Sequence, residues 1–248
     1  MLLKILGSNS QGNCYILECE TSKDKLIIDC GVTFTKIKQA LKFNYANTYC
    51  VMSHEHGDHA KYANDFIKAG ISIHTQKATL DKIGLGSNYR AKAIEPNKPF
   101  RLGSFDVIGF PLHHIDTEKK DIPCLGYLIR HPEMGTTVFI TDTHYCDYKF
   151  DNVTQLIVEA NHDTEILFNN NTMPFLRTRI MESHMSLQVC KDLLLANDLS
   201  KVINIVLIHL SDSNSHARNF KSEISKITGK IVHIADSGMT IPFNINPF

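Results

Sequence analysis

The sequence has no excess of charge of either sign. Lysine and arginine together number 26, aspartate and glutamate also number 26, and the formal net charge at pH 7 is +0. A balanced chain has no overall field that would draw it to nucleic acid or to an anionic membrane. Any phosphate-bearing substrate must therefore be held by local groups.

The sequence also lacks paired cysteines and long apolar runs. Its seven cysteines are odd in number, scattered and without a C-x-x-C pair, which argues against a disulfide framework or a zinc knuckle and is typical of reduced thiols. No window approaches the ~18 consecutive apolar residues that a membrane-spanning helix needs, and residues 1–7 reach a glycine too soon for a signal peptide. We therefore expect a soluble, cytoplasmic protein with no membrane partner.

Short runs rich in Ile, Leu, Val and Tyr predict strands, and apolar residues at helical spacing predict helices between some of them. The predicted strands are 2–6, 14–17, 25–29, 48–52, 71–74, 105–110, 124–129, 137–141, 156–160, 202–210 and 230–235, and the predicted helices are 60–69, 77–82, 186–197 and 214–228. No linker or repeat divides the chain, so we expect one domain over residues 1–248. Two halves that each form a sheet with outer helices predict an α/β (α+β) fold, a four-layer αββα sandwich.

The most informative segment is 54–59, His-Glu-His-Gly-Asp-His, which follows a predicted strand and precedes a predicted helix. A strand-to-helix turn spreads alternate side chains, so His54 and His56 can face one metal ion while Asp58 and His59 face a second. Imidazole and carboxylate ligands suit zinc, manganese, iron or nickel, and the absence of thiolates argues against a closed structural zinc site. The alternative is a polar loop whose histidines only cap the following helix, and Asp58 could also be its N-cap.

An open metal site needs further ligands. Four more candidates come where predicted strands end, namely His113, His114, Asp142 and His209. Each alone is weak evidence, because a lone histidine at a strand end is more often a surface or hydrogen-bonded residue. Their recurrence after one dense motif favours metal ligands.

The arrangement strongly resembles the metallo-β-lactamase fold superfamily, whose His-x-His-x-Asp-His signature is complete at residues 54–59. The resemblance covers nearly the whole chain. It implies the αββα sandwich and a site for two divalent metal ions, with zinc preferred and manganese as the alternative. By that likeness the first ion would be held by His54, His56 and His114, the second by Asp58, His59 and His209, and Asp142 would bridge both.

Three further segments resemble the YycJ/WalJ-like, exonuclease-type branch of the superfamily, namely residues 7–14, 159–163 and 209–211. One departure concerns the third motif. The branch usually has an aspartate directly after the motif histidine, whereas His114 is followed by Ile115 and only then by Asp116. The ligand could therefore be His113 or His114, and we favour His114 because it stands three residues after Pro111.

His184 and His162 are second-tier candidates for catalysis, with a hydrogen-bonded or surface role as the alternative. His184 precedes a predicted helix whose N-terminus could help to bind an anion, and Arg177 and Arg179 lie close in sequence, so a phosphate pocket could form there. The carboxylate of Asp163 could orient the His162 ring. Residues 7–13 could be a plain hairpin connection or a nest of backbone amides near the substrate.

We therefore predict a binuclear metal-dependent hydrolase in which two ions activate a shared water, Asp58 orients it as hydroxide, and His184 or His162 stabilises the leaving oxygen. The branch resemblance implies a phosphodiesterase that acts on nucleic acid as an exonuclease, although the balanced charge fits a long duplex poorly. Alternatives are hydrolysis of a cyclic nucleotide or other small phosphodiester, hydrolysis of a thioester or lactone, a di-iron oxidoreductase and a non-catalytic binding module. The oligomeric state stays open, and a homodimer is compatible with the sequence.

Overall fold

The structure is a computed structural model that describes residues 1–116 and 118–245, so Thr117 and residues 246–248 of the expected domain lie outside the described residues. In chain order the elements are β1 (Leu2–Asn9), β2 (Gly12–Glu18), β3 (Lys25–Ile28), α1 (Phe34–Ala40), β4 (Thr48–Val51), α2 (Gly57–Ala60), α3 (Ala63–Lys68), β5 (Ser72–Thr75), α4 (Lys77–Lys82), β6 (Ala91–Ala93), β7 (Pro99–Leu102), β8 (Phe105–Ile115), β9 (Asp121–His131), β10 (Gly135–Ile140), β11 (Val153–Glu159), α5 (Thr164–Asn169), α6 (Pro174–Ser183), α7 (Leu187–Leu195), β12 (Asn204–Ile208), α8 (Ala217–Thr228), β13 (Ile231–Ile234) and β14 (Thr240–Pro242).

The strands form two mixed sheets. The first has the order β14-β1-β2-β3-β4-β5-β6 and is antiparallel from β14 to β3 and parallel from β3 to β6. The second has the order β13-β12-β11-β10-β9-β8-β7 and is parallel from β13 to β10 and antiparallel from β10 to β7. The carboxyl ends of parallel strands share one edge of a sheet, where ligand sites commonly form. The residues after β3 and β4, and those after β10, β11 and β12, are placed at such edges.

The two sheets pack face to face. One hydrophobic core contains Leu3 and Leu26 from the first sheet together with Tyr127, Phe139 and Ile157 from the second, all fully buried. Alternation along each strand sends these side chains inward and leaves the other face of each sheet for a second layer.

Helices cover both outer faces. Ile37 of α1 and Phe66 of α3 belong to a second core on the first sheet. Cys190 of α7 and Phe220 of α8 belong to a third core on the second sheet. The predicted four-layer αββα sandwich is confirmed.

The prediction of one continuous helix over residues 60–69 is wrong. The chain instead forms the short α2 and α3, separated at Tyr62, whose φ is −106° and ψ is 16°. The amide of Tyr62 donates to the carbonyl of Cys30 at 3.1 Å, and the amide of Cys30 donates to the carbonyl of His59 at 2.7 Å. These tertiary hydrogen bonds replace helical ones and tie the histidine-rich segment to the residues that follow β3.

The expectation that His113 and His114 follow a strand ending at residue 110 is also wrong. They lie inside β8, where they pair with Pro123 and Ile122 of β9. Cross-strand pairing carries the strand beyond the apolar run on which its predicted end was based.

The sequence patterns also missed α1, α5, α6, β6, β7 and β14, most of which are short. No helix within residues 1–116 and 118–245 is both long and apolar enough to cross a membrane.

Candidate metal centre

The histidine-rich segment 54–59 follows β4 and runs into α2. His54 and His59 are fully buried, whereas His56 and Asp58 are partly buried. The helix begins at Gly57 with His56 at the N-cap position, and His56 makes no side-chain capping bond. Asp58 lies in the first turn and is not the N-cap, because the helix starts one residue before it. The histidines of this segment therefore do not cap the helix through their side chains.

His54, His56 and His114 form the first group of candidate ligands. One ligand atom of each lies within 4.8 Å of the others, and Nδ1 of His56 is 3.1 Å from Nε2 of His114. Nε2 of His54 is buried and has no hydrogen-bond partner among the described residues. Buried polar atoms are normally paired, so three converging ring nitrogens with an unpaired one suit a metal ion.

Asp58, His59 and His209 form the second group, again with one ligand atom of each within 4.8 Å of the others. Oδ2 of Asp58 lies 3.3 Å from Nε2 of His59 and 3.4 Å from Nε2 of His209. Although Asp58 is this near, Nε2 of His209 makes no hydrogen bond of acceptable geometry within the described chain. A carboxylate and two imidazoles provide a second mixed oxygen and nitrogen site.

Asp142 lies between the two groups. Its Oδ2 is 3.0 Å from Nε2 of His59, and its ligand atoms also fall within 4.8 Å of those of His54. Its other oxygen, Oδ1, is 3.7 Å from Nδ1 of His209. The structure therefore brings together all seven residues expected as ligands, in two groups with Asp142 in the middle.

Two buried carboxylates support these groups from behind. Oδ2 of Asp29 contacts Nδ1 of His59 at 2.7 Å, while Oδ1 accepts from both the amide and the hydroxyl of Ser53. Oε1 of Glu159 contacts Nδ1 of His209 at 3.1 Å and Nδ1 of His184 at 2.7 Å. Such partners fix the ring orientation and the tautomer, and they leave Nε2 of His59 and His209 as the ligand atom.

Three strand-end residues share an unusual backbone conformation. Asp29, Asp142 and His209 have φ values of 63°, 48° and 55°. Left-handed backbone at non-glycine residues costs about 1–3 kcal/mol each and is concentrated at functional sites. Here it turns the chain sharply after β3, β10 and β12 so that each side chain faces the centre.

Comparison with known proteins identifies the family of this chain. The family described as a β-lactamase superfamily domain matches residues 25–210. The chain belongs to this superfamily. Exodeoxyribonuclease WalJ of Streptococcus pneumoniae serotype 2 (strain D39) is 26% identical over 259 residues, which cover 97% of this chain and 91% of that protein.

Solved structures of the same fold cover almost the whole chain. The metallo-β-lactamase fold protein YhfI from Bacillus subtilis has a TM-score of 0.71 at 18% identity, over 97% of this chain and 98% of that one. Unliganded yeast PDE1 also has a TM-score of 0.71, at 13% identity, over 96% of this chain and 98% of that one. The resemblance to the superfamily and its fold is confirmed, and with it the coarse function of a metal-binding hydrolase.

The charges of the centre suit a superfamily metal site. Burial lowers the pKa of His54 well below its ordinary value and lowers that of His114 to about 4, so both rings are neutral and can act as ligands. Burial would also lower the pKa of His59, but Asp142, Asp29 and Asp58 raise it well above its ordinary value. Burial would likewise lower the pKa of His209, but Asp142 and other acceptors raise it to about 10. Protons thus hold positive charge among these carboxylates, and a divalent cation would replace them.

The neighbouring His113 is placed differently from His114. Its side chain is exposed and stacks on the ring of Tyr145, with centroids 5.2 Å apart, whereas His114 is 3% exposed and faces the centre. Adjacent residues of a strand point to opposite faces, so only one of the two can join the centre. The structure brings His114 to it.

His184 lies beside the centre, at the C-terminal end of α6. Its ring centroid is 5.1 Å from that of His209, and its Nδ1 is held by Glu159. His162 is 2% exposed, and its Nδ1 has no partner within the described chain. The expectation that Asp163 orients His162 is wrong, because the Asp163 carboxylate caps α5 by accepting from two backbone amides at its N-terminus.

Residues 7–13 form the β1–β2 hairpin, in which Asn9 pairs with Gly12. Their contribution to the centre is made mainly by side chains. Nδ2 of Asn13 lies 3.0 Å from Nε2 of His59, and Oγ of Ser8 accepts from the amide of His209 at 3.0 Å. The segment is therefore better described as a hairpin connection than as a nest of backbone amides.

Sequence reasoning missed the roles of Asp29 and Glu159. Both are acidic residues at the end of a buried strand, β3 and β11 respectively. The same rule that selected Asp142 and His209 after their strands could have found them. Asn13 and Ser53 had no comparable signal, since neutral polar residues are common in turns.

Proposed function

We propose that the protein is a binuclear metal-dependent phosphodiesterase that acts on nucleic acid in an exonuclease-like manner. The observation that carries this proposal is the pair of ligand groups that meet at Asp142 beside a cavity of about 430 Å³, whose lining includes His184 and His209. Two closely spaced metal sites are a common solution for phosphoryl transfer. The near full-length similarity to a protein named as an exodeoxyribonuclease supports nucleic acid as the substrate class.

The proposed ligands follow the two groups of the centre. His54, His56 and His114 would hold one ion, Asp58, His59 and His209 would hold the other, and Asp142 would contact both. Divalent ions there would supply Lewis acidity toward a phosphoryl oxygen and an attacking water. We propose zinc, with manganese as the alternative, because the donors are imidazoles and carboxylates without thiolates.

Two side chains have proposed roles in hydrolysis beyond metal binding. The Asp58 carboxyl has a pKa well below its usual range, because His59 and His209 outweigh the opposing effect of burial, so it stays an acceptor that can orient the attacking water. Glu159 holds Nδ1 of His184, and the Nε2–H of the doubly protonated ring would be the group that gives a proton to the leaving oxygen. We propose His184 over His162 for this role, because His184 lines the cavity and His162 is almost completely buried.

Metal content and hydrolysis of bis(p-nitrophenyl) phosphate test the proposal. Wild type should carry about two ions per chain and turn over the substrate, and Asp58→Ala should abolish turnover. His184→Ala should keep its metal and lose roughly 10²-fold or more in kcat, and His113→Ala is the matched histidine control that should keep both. Bound metal without phosphodiester turnover would refute the proposal and direct the search to thioesters and lactones.

A cyclic nucleotide or other small phosphodiester is the second candidate substrate. The formal net charge of +0 favours it, because enzymes that grip a long duplex usually carry a basic surface. Parallel assays with cyclic nucleotides and with single- and double-stranded oligonucleotides decide between the two. Faster turnover of the cyclic substrate at equal concentration would replace the nucleic-acid proposal.

We further propose that residues 1–248 fold as one unit and that the protein works in the cytoplasm. The core between the sheets takes side chains from both halves of the chain, and removing either half would expose it. All seven cysteines are free and six of them are buried, which suits a reducing compartment. Limited proteolysis and cell fractionation test these two statements.

A further inference from the structure

The cavity beside the centre has walls of unequal charge. Helix α6 forms one wall, with Arg179 as its cation, and the segment after β12 forms another, with Asp212 as its anion. Most of the remaining lining consists of serine, threonine and asparagine side chains. Its volume of about 430 Å³ lies in the range of small-molecule sites, roughly 300–1,000 Å³. A ligand of this cavity should therefore have one anionic end and several hydrogen-bonding groups.

Arg179 is the cation of the cavity that has no anion of its own. Within the described residues its guanidinium makes no ion pair or hydrogen bond. Its backbone carbonyl accepts from the hydroxyl of Ser183. Two neighbouring cations already have other contacts. Lys119 forms an ion pair with Glu182. Arg177 has no anion either, but it donates to the carbonyl of Thr172 and its guanidinium lies over an aromatic ring, and its Nε is buried without a partner among the described residues.

Arg179 shares its cavity with His209 of the metal centre and with His184 beside it. A phosphate bound in this cavity would therefore have Arg179 and these two histidines among its surroundings. A planar guanidinium can bind phosphate through two parallel hydrogen bonds.

We propose that this cavity is the subsite for the phosphate-bearing terminal nucleotide of the substrate, and that Arg179 binds its phosphate. The inference rests on the proposed function. The phosphate lies on the α6 side, away from Asp212, and the hydroxyl and amide side chains bind the sugar and base edge. A subsite sized for one nucleotide would confine cleavage to chain ends and would also hold the nucleoside monophosphate that cleavage releases.

Calorimetric titration of the metal-loaded protein with thymidine 5′-monophosphate tests the subsite. Arg179→Ala should weaken binding by roughly 10-fold or more, as expected for loss of a charge-assisted hydrogen bond, and Arg179→Lys should restore part of it. Arg218→Ala, which removes the same charge from an exposed position on α8, is the matched control and should bind as wild type does. Equal affinity of wild type and Arg179→Ala would overturn the proposal.

Two further probes separate a nucleotide subsite from a plain anion site. Thymidine, which lacks the phosphate, should bind weakly and without dependence on Arg179. Inorganic phosphate should bind more weakly than the nucleotide, because it cannot use the hydroxyl and amide side chains. If inorganic phosphate binds as tightly as thymidine 5′-monophosphate, the nucleotide assignment is wrong.

The outcomes also separate this inference from the proposed function. If binding of thymidine 5′-monophosphate depends on Arg179 but wild type does not hydrolyse phosphodiesters, the proposed function is refuted and the subsite stands. If wild type hydrolyses phosphodiesters and Arg179→Ala binds thymidine 5′-monophosphate as wild type does, the subsite is refuted and the proposed function stands. Metal content and the thermal midpoint of each variant show whether it is folded and loaded.

Discussion

Replacement of Asp29 by asparagine is the sharpest test of how the second ligand group is held. The buried Asp29 carboxylate contacts Nδ1 of His59 at 2.7 Å and accepts from the amide and hydroxyl of Ser53 at 2.7 and 2.9 Å. Asparagine keeps the size and tolerates the φ of 63° at this position. The substitution therefore changes hydrogen bonding with little change in shape.

An asparagine can present only one acceptor oxygen here. If that oxygen faces Ser53, its amide group donates to Nδ1 of His59, and the ring must move its proton to Nε2, the atom expected to bind metal. If the side chain turns over, the Ser53 amide loses its acceptor. Loss of such a supporting partner typically reduces metal affinity about 10- to 100-fold, which is about 1.4–2.8 kcal/mol.

Competition with a chelating dye measures the affinity of each of the two ions in Asp29→Asn. We expect weaker binding of the second ion and near-normal binding of the first, whose proposed ligands do not contact Asp29. Asp24→Asn is the matched control, because Asp24 is also a buried carboxylate, lies at the opposite end of β3 and accepts from the amide of Ser104. Wild-type affinity for both ions in Asp29→Asn would refute the reasoning.

Three further predictions use other features of the centre. A Cβ on Gly31 would lie 1.6 Å from a backbone oxygen of the histidine-rich segment, so Gly31→Ala should lose metal and lower the thermal midpoint; Gly57→Ala, whose Cβ would meet nothing within 4 Å, is the control. His114→Ala should bind about one ion fewer than wild type by elemental analysis, and His113→Ala should bind the full number. Burial lowers the pKa of His162 to about 4, and an unfolded chain binds that proton below about 6.5. His162 should therefore cost about 2 kcal/mol of stability between pH 7 and pH 5, and urea unfolding of His162→Gln should show a correspondingly smaller loss.

Each of these has a result that contradicts it. Normal metal content in Gly31→Ala would mean that the segment can move away from β3 at little cost. Loss of an ion in His113→Ala with none lost in His114→Ala would reverse the assignment within β8. An identical fall in stability with pH for His162→Gln and wild type would show that folding does not lower the pKa of His162.

Much of the centre could be predicted because its information is local. Four candidate ligands stand within six residues at the end of one predicted strand, Asp142 directly follows a second predicted strand, and His209 lies at the end of a third. Parallel strands place their carboxyl ends at a common edge, so a strand end with a ligating side chain points to the site even before the partner strands are known. The same rule, applied to Asp29 and Glu159, would have extended the prediction to the supporting carboxylates.

The sequence by itself determined the fold class, the identity of the dense ligand segment and the coarse chemistry, since these depend on residue type and spacing along a short stretch of chain. Only the tertiary structure showed which of His113 and His114 lies at the centre, because that placement depends on which face of β8 each side chain takes once β8 pairs with β9 beyond the apolar run. It also decided that Glu159 serves both His184 and His209, and that Arg179 of α6 shares a cavity with them. These contacts join residues far apart in the chain, and no local pattern of hydrophobicity or charge records where two distant segments will meet.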